Sequence, residues 1–143
     1  MSKKEKVIET ALDLFLQNSF TTVGVDRIIL ESGVAKMTFY KYFPSKEILT
    51  EDCLSATSER FKREITKEIN KIEKNDYLKK VKAIYTCYVQ CFKSKSFNGC
   101  IFQKAIYEIL ILYPSVITPN KNYKTWLFQT ITYLLIQLNI PQP

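Results

Sequence analysis

Apolar positions recur at helical spacing along most of the chain, and turn residues cut that pattern into segments. Val7, Ile8, Ala11, Leu12 and Phe15 form one stripe behind Ser2-Lys3-Lys4-Glu5, which fits a capping box. Asn18-Ser19 ends this first helix, because Asn tolerates a left-handed C-terminal conformation, and Phe20 is expected to plug the core beyond it. Gly24 can cap a short helix over Val25 to Ser32, with Val25, Ile28 and Ile29 facing inward. Gly33 suits a left-handed turn, since it has no Cβ to clash at positive φ, and Val34 then anchors the turn. A third short helix, about Ala35 to Phe43, is expected to bury Phe39 and Phe43. Pro44 halts it, and Ser45 caps the next helix.

Longer segments come next. A helix is expected from Ser45 to about Asn75, with Ile48, Leu49, Leu54, Phe61, Ile65, Ile69 and Ile72 as its stripe. A second, about Asp76 to Lys93, carries Leu78, Val81, Ile84, Tyr85, Tyr88, Val89 and Phe92. A third, Phe97 to Tyr113, is apolar nearly all round and is expected to be central and buried. Pro114 and Pro119 are expected to bracket a loop before a last helix from about Asn120 to Leu138. The class is all-α. A three-helix helix-turn-helix head over residues 1–46 would be joined by a long helix to a helical body over residues 47–143.

Composition narrows the function classes. The 143 residues hold 21 basic and 14 acidic side chains, a net charge of +7. Residues 1–50 carry seven basic and six acidic groups, net +1, while residues 51–100 carry eleven and seven, net +4. General basicity favours an anionic partner, but the excess is not concentrated in the head. There is no histidine, hence no His general base and no His-assisted nucleophile, and no acid pair has a catalytic setting. No catalytic residue, enzyme activity, metal or cofactor is expected. Cys53, Cys87, Cys91 and Cys100 are expected to be reduced in a cytoplasmic chain. Cys87 and Cys91 lie one helical turn apart, which leaves open either a small buried hydrophobe at each or a shared ligand or oxidant. The longest apolar run, Ile109 to Tyr113, is too short to span a bilayer. The start of the chain leads into an amphipathic helix and not a leader peptide.

The helix after Gly33 carries the most specific chemistry. Between Val34 and Lys46 there are three lysines and no acid. Lys36, Lys41 and Lys46 could each neutralise a phosphate, and Thr38 and Tyr40 could hydrogen-bond phosphates or base edges, with Met37 and Tyr42 on the remaining outer faces. The competing reading is a solvated lysine face over aromatic core. Glycine turn, proline stop and absence of acids together favour a helix laid in the major groove of double-stranded DNA.

These residues also carry a resemblance. Gly24-Val25-Asp26-Arg27-Ile28, followed by SGVAKMT from Ser32 and FPSKE ending at Glu47, resembles the N-terminal domain of the tetracycline-repressor (TetR/AcrR-type) family. Phe97-Asn98-Gly99-Cys100-Ile101-Phe102 is weakly similar to an F-R-G-C-x-F segment of the same subgroup. The resemblance implies that Thr38, Tyr40 and Lys46 contact DNA, with Lys36, Met37 and Lys41 nearby. Val23 stands where threonine is usual, beside Thr22, and Asn98 replaces the arginine.

The resemblance further implies a ligand-responsive repressor that binds a palindromic operator as a homodimer, with a body enclosing a small hydrophobic effector. Tyr85, Tyr88, Phe92, Phe102, Tyr107 and Trp126 are the aromatics available to line such a pocket, although aromatics at this spacing also serve as plain core. Family members usually continue past this point with two more helices that pair across a two-fold axis. The apolar helix from Trp126 to Ile140 is therefore expected to support self-association. The alternative function is a ligand-binding or hetero-pairing module without specific DNA binding of its own.

Overall fold

The computed structural model describes residues 1–140. Among them are seven α-helices, one 3-10 turn and no strand, so the all-α class holds. The helices are α1 (Lys3–Gln17), α2 (Val25–Ser32), α3 (Lys36–Tyr42), α4 (Lys46–Asn70), α5 (Tyr77–Lys93), α6 (Ile101–Ile109) and α7 (Ile117–Gln137), with the 3-10 turn at Pro114–Val116.

The expected capping box is present: Ser2 Oγ accepts from the Glu5 amide at 3.1 Å, and the Glu5 carboxylate accepts from the Ser2 amide at 2.6 Å. That bond holds the Glu5 carboxyl below its usual pKa. Asn18 ends α1 differently from the expectation. Its backbone is extended, at φ −134°, and its side-chain amide donates to the Leu14 carbonyl at 3.0 Å. The side chain thus supplies the cap that a left-handed backbone would have supplied. Gly33 closes α2 at φ 65°, and its amide reaches the carbonyls of Ile29 and Leu30. Ser45 Oγ accepts from the Ile48 amide at 3.2 Å and opens α4.

Contacts divide the chain into two compact units. The first comprises Met1–Thr57 and Asn98–Asn120, and the second Ser58–Phe97 and the chain from Lys121 onward. This grouping differs from a cut at residue 46, because α6 and the 3-10 turn cluster with the head's helices.

In the first unit α1 packs on α2 and α3. Val7, Ala11, Phe15, Phe20, Val23, Ile28, Phe39, Phe43, Leu49, Leu54, Ile109 and Val116 are buried. Phe20 is the expected plug, its ring stacked on Phe15 with centroids 4.4 Å apart. In the second unit Ile65, Ile84 and Leu134 form the core, flanked by Ile69, Val81, Cys87, Trp126 and Ile131. Phe61 stacks near Tyr88, with centroids 6.5 Å apart, and the Tyr88 and Tyr123 hydroxyls are hydrogen-bonded to each other.

Three expectations about the body change. α4 ends at Asn70, five residues early, where Lys71, Ile72 and Asp76 enter successive turns. α6 spans nine residues and is one-sided: Ile101, Phe102, Ala105 and Ile109 are buried, whereas Tyr107 and Ile111 are 85% and 96% exposed. The Phe97–Tyr113 segment is therefore not a central, fully buried helix. Pro119 lies in the first turn of α7, where its missing N–H breaks no intrahelical bond, so no loop separates it from Pro114 beyond the 3-10 turn.

Candidate nucleic-acid interface

Seven residues of α3 turn through nearly two helical turns, at about 100° each. Phe39 and the following Phe43 point one way and are fully buried. Met37 and Lys41 lie roughly opposite, and Met37 is 87% exposed. Lys36 and Tyr40 occupy one flank, Thr38 and Tyr42 the other. All except Thr38, which is half-buried, are exposed. The tyrosine rings lean back on the core: Tyr40 meets Phe39 edge-on with centroids 5.3 Å apart, and Tyr42 meets Phe43 at 6.2 Å. Each hydroxyl is thus carried on a ring braced by phenylalanine, an arrangement that fixes a polar tip on a rigid stem.

Lys36 Nζ lies 4.0 Å from Asp26 Oδ1, and both side chains are largely exposed. Such a pair contributes ~0–1 kcal/mol and leaves the ammonium available to an anion. Arg27 is paired along α2 with Glu31 at 2.8 Å. Lys6 is a cation that sequence reasoning missed. Its Nζ would lie 3.8 Å from a Cβ built on Gly33, so it sits against the turn between α2 and α3. Val23 is buried, while Thr22 is exposed with its hydroxyl donating to the Ser19 carbonyl at 3.1 Å.

Lys46 stands apart from the other candidates. Its Nζ donates to the Phe20 carbonyl and lies 6.0 Å from the Phe15 ring centroid, on the side facing the α1–α2 linker. Desolvation there pulls its pKa below the ordinary lysine value. The Phe20 amide donates to Glu108 Oε2 of α6 at 2.7 Å, and the Ser19 hydroxyl donates to the same oxygen at 3.1 Å. Lys104 Nζ is 3.8 Å from the other Glu108 oxygen. Glu47, the second residue of α4, accepts from the Ser115 hydroxyl at 2.9 Å. No sequence signal marks Glu108, since the spacing to its partner is 88 residues.

The aromatics singled out for an effector pocket are not gathered into one cavity. Phe102 and Tyr107 belong to the first unit, Phe102 in its core and Tyr107 in solvent. In the second unit Tyr85 and Phe92 are exposed, Tyr88 packs among Phe61, Phe92 and Tyr123, and Trp126 borders an open depression. That depression is lined by Glu59, Lys62, Arg63, Thr66, Lys67, Asn70 and Lys71 besides Trp126. Its wall combines basic head groups with the apolar surface of Trp126 and the side-chain stems.

A glycine-turned helix pair packed on a third helix, with the second member of the pair offering lysine, tyrosine and threonine to solvent, is the layout of a helix-turn-helix. The comparisons with known proteins agree. Residues 7–53 match the sequence model described as "Bacterial regulatory proteins, tetR family". An HTH-type transcriptional regulator of Bacillus subtilis (strain 168), YuxN, is 37% identical over 91 residues. A second from that organism, YerO, is 40% identical over 47 residues. These matches take in 59% and 33% of this chain but only 30% and 16% of the two relatives, so the chain spans less than a third of either. A solved TetR-family transcriptional regulator from Streptomyces coelicolor superposes with a TM-score of 0.80 at 25% identity, covering 94% of this chain and 70% of that one. E. coli NemR in its reduced form has the same fold, with a TM-score of 0.80 at 22% identity over 93% of this chain and 69% of that one. Residues 7–53 thus carry the sequence pattern of the tetR family's regulatory proteins, and the chain has the fold of the solved TetR-family regulator. Among the described residues no helix is long and apolar enough to cross a membrane.

Proposed function

We propose that this protein is a ligand-responsive repressor that binds a palindromic operator as a homodimer in the cytoplasm. One observation carries the reading: α3 buries Phe39 and Phe43 and leaves Lys36, Met37, Tyr40, Lys41 and Tyr42 exposed on its remaining faces. Met37 and Tyr42 would meet base edges or methyl groups, Thr38 and Tyr40 would donate to phosphates or bases, and Lys36 and Lys41 would neutralise phosphates. Residues 1–46 would read the operator and the remainder would set when they do so.

Two heads would enter successive major grooves ~34–36 Å apart. Self-association is supported by α7, where Phe128, Tyr133 and Ile136 are each more than half exposed. An effector acts only if it binds the released geometry more tightly than the DNA-bound one. The depression beside Trp126 suits a ligand with an anionic group and an apolar face, since Arg63 and Lys67 border it.

The deciding experiment is a footprint of the purified protein on genomic fragments that it selects itself. Two protected half-sites ~10–10.5 base pairs apart centre to centre, or a multiple of that, are expected. Protection only in the presence of another regulator would identify a hetero-pairing module instead. A clean monomer by light scattering at micromolar concentration would remove the homodimer.

A further inference from the structure

We propose that Lys46 and Glu108 are positioning residues for DNA binding, gripping the two peptide groups that flank Phe20, and that Lys46 does not pair with a DNA phosphate. The inference rests on the DNA-binding reading but reverses the role that the lysine of the FPSKE segment was expected to play.

The linker from Asn18 to Gly24 joins α1 to α2 and must satisfy its backbone groups outside a helix. At Phe20 both partners are ionic. The amide donates to a Glu108 carboxylate oxygen at 2.7 Å, and the carbonyl accepts from the Lys46 ammonium. Hydrogen bonds with one charged member are about twice as strong as neutral ones. The Phe20 ring is buried and stacked on Phe15, so the residue is fixed by side chain and backbone together.

Lys46 is the first residue of α4 and follows Pro44, which ends the segment carrying α3. Its bond therefore ties the end of the reading helix to the start of α2. Glu108 ties the same linker to α6, and the Ser115–Glu47 hydrogen bond joins the neighbouring 3-10 turn to the first turn of α4. Lys36 and Lys41, by contrast, are exposed, and Lys36 has only a loose partner at 4.0 Å. An ammonium committed to a carbonyl would have to abandon that acceptor in order to reach a phosphate.

Phosphate pairing and positioning leave different marks on salt dependence. Each neutralised phosphate adds ~0.9 to the slope of log K against log salt. The probe is a fluorescein-labelled 30-base-pair duplex of arbitrary sequence, titrated with the full chain at several salt concentrations. Lys36→Ala and Lys41→Ala are expected to lower the slope by ~0.9 per head. Lys46→Met, which keeps the aliphatic stem, is expected to weaken binding several-fold at every salt concentration and leave the slope unchanged. Lys46→Arg, which can still reach the carbonyl, should restore affinity.

Glu108→Ala is expected to mimic Lys46→Met and to speed hydrogen exchange at the Phe20 amide. Glu108→Gln keeps an acceptor oxygen and should fall between, which serves if the alanine variant does not fold. A slope reduced by Lys46→Met as much as by Lys36→Ala would overturn the proposal, as would unchanged affinity and unchanged Phe20 exchange in both variants. Absence of any duplex binding by the unaltered chain would instead sink the DNA-binding reading beneath it.

Discussion

Gly33 is the one residue of the head whose backbone restricts what can replace it. At φ 65° it occupies the left-handed region, where an L side chain clashes with its own carbonyl. Space is not the obstacle, because the nearest atom to an added Cβ is the Lys6 ammonium at 3.8 Å, an ordinary van der Waals distance. Gly33→Ala is expected to cost ~1–2 kcal/mol through conformation alone, and Gly33→Asn less, as read from chemical-denaturation midpoints.

A second residue-scale expectation concerns the thiols. Burial pushes the Cys53 thiol pKa far up, with the Asp52 and Glu9 carboxylates adding to it. Cys100 is exposed at the start of α6. Only the thiolate attacks, and a raised pKa means less of it at any working pH. At pH 7 maleimide should modify Cys100 first and leave Cys53 untouched until the head unfolds, as mass spectrometry of digested samples would show.

At the scale of elements, α3 divides buried aromatic positions from exposed ones. Phe39→Ala should cost ~3–5 kcal/mol, because it empties a fully buried aromatic site. Met37→Ala, at an exposed position, should move stability by no more than ~0.5 kcal/mol. Its effect, if it meets a base, appears as altered sequence preference. Paired melts and selections on randomised duplexes would check both. This division was legible from the spacing of Phe39 and Phe43, as were the Ser2 capping box, the Gly33 turn and the Ser45 cap. α6 was not. A run with apolar residues all round reads as buried, yet Tyr107 and Ile111 face solvent, and hydropathy alone cannot distinguish the two. Nor could spacing show which way the Lys46 side chain turns. Its direction depends on a carbonyl 26 residues away and on a carboxylate in α6.

The whole molecule is organised as two packing units that share α4 and α7 in sequence. The first unit includes residues far apart along the chain, since Asn98–Asn120 joins Met1–Thr57. A cut at residue 46, drawn from motif boundaries, therefore falls inside the first packing unit. A fragment ending at residue 46 lacks Leu49 and Leu54, both buried, as well as α6. It is expected to melt at a lower temperature than the head of the intact chain and to show weaker amide protection, by circular dichroism and hydrogen exchange.

The chain has a single tryptophan, Trp126, with the Tyr123 ring stacked 6.3 Å away. Both belong to the second unit, so intrinsic indole emission reports on the surroundings of Trp126 in that unit. Cys53 lies in the first. Fluorescence and thiol-trapping curves recorded on one sample would thus track the two units independently. Coincident midpoints would mean that a single cooperative transition melts the molecule, and separated ones that the first unit can open while the second stays folded.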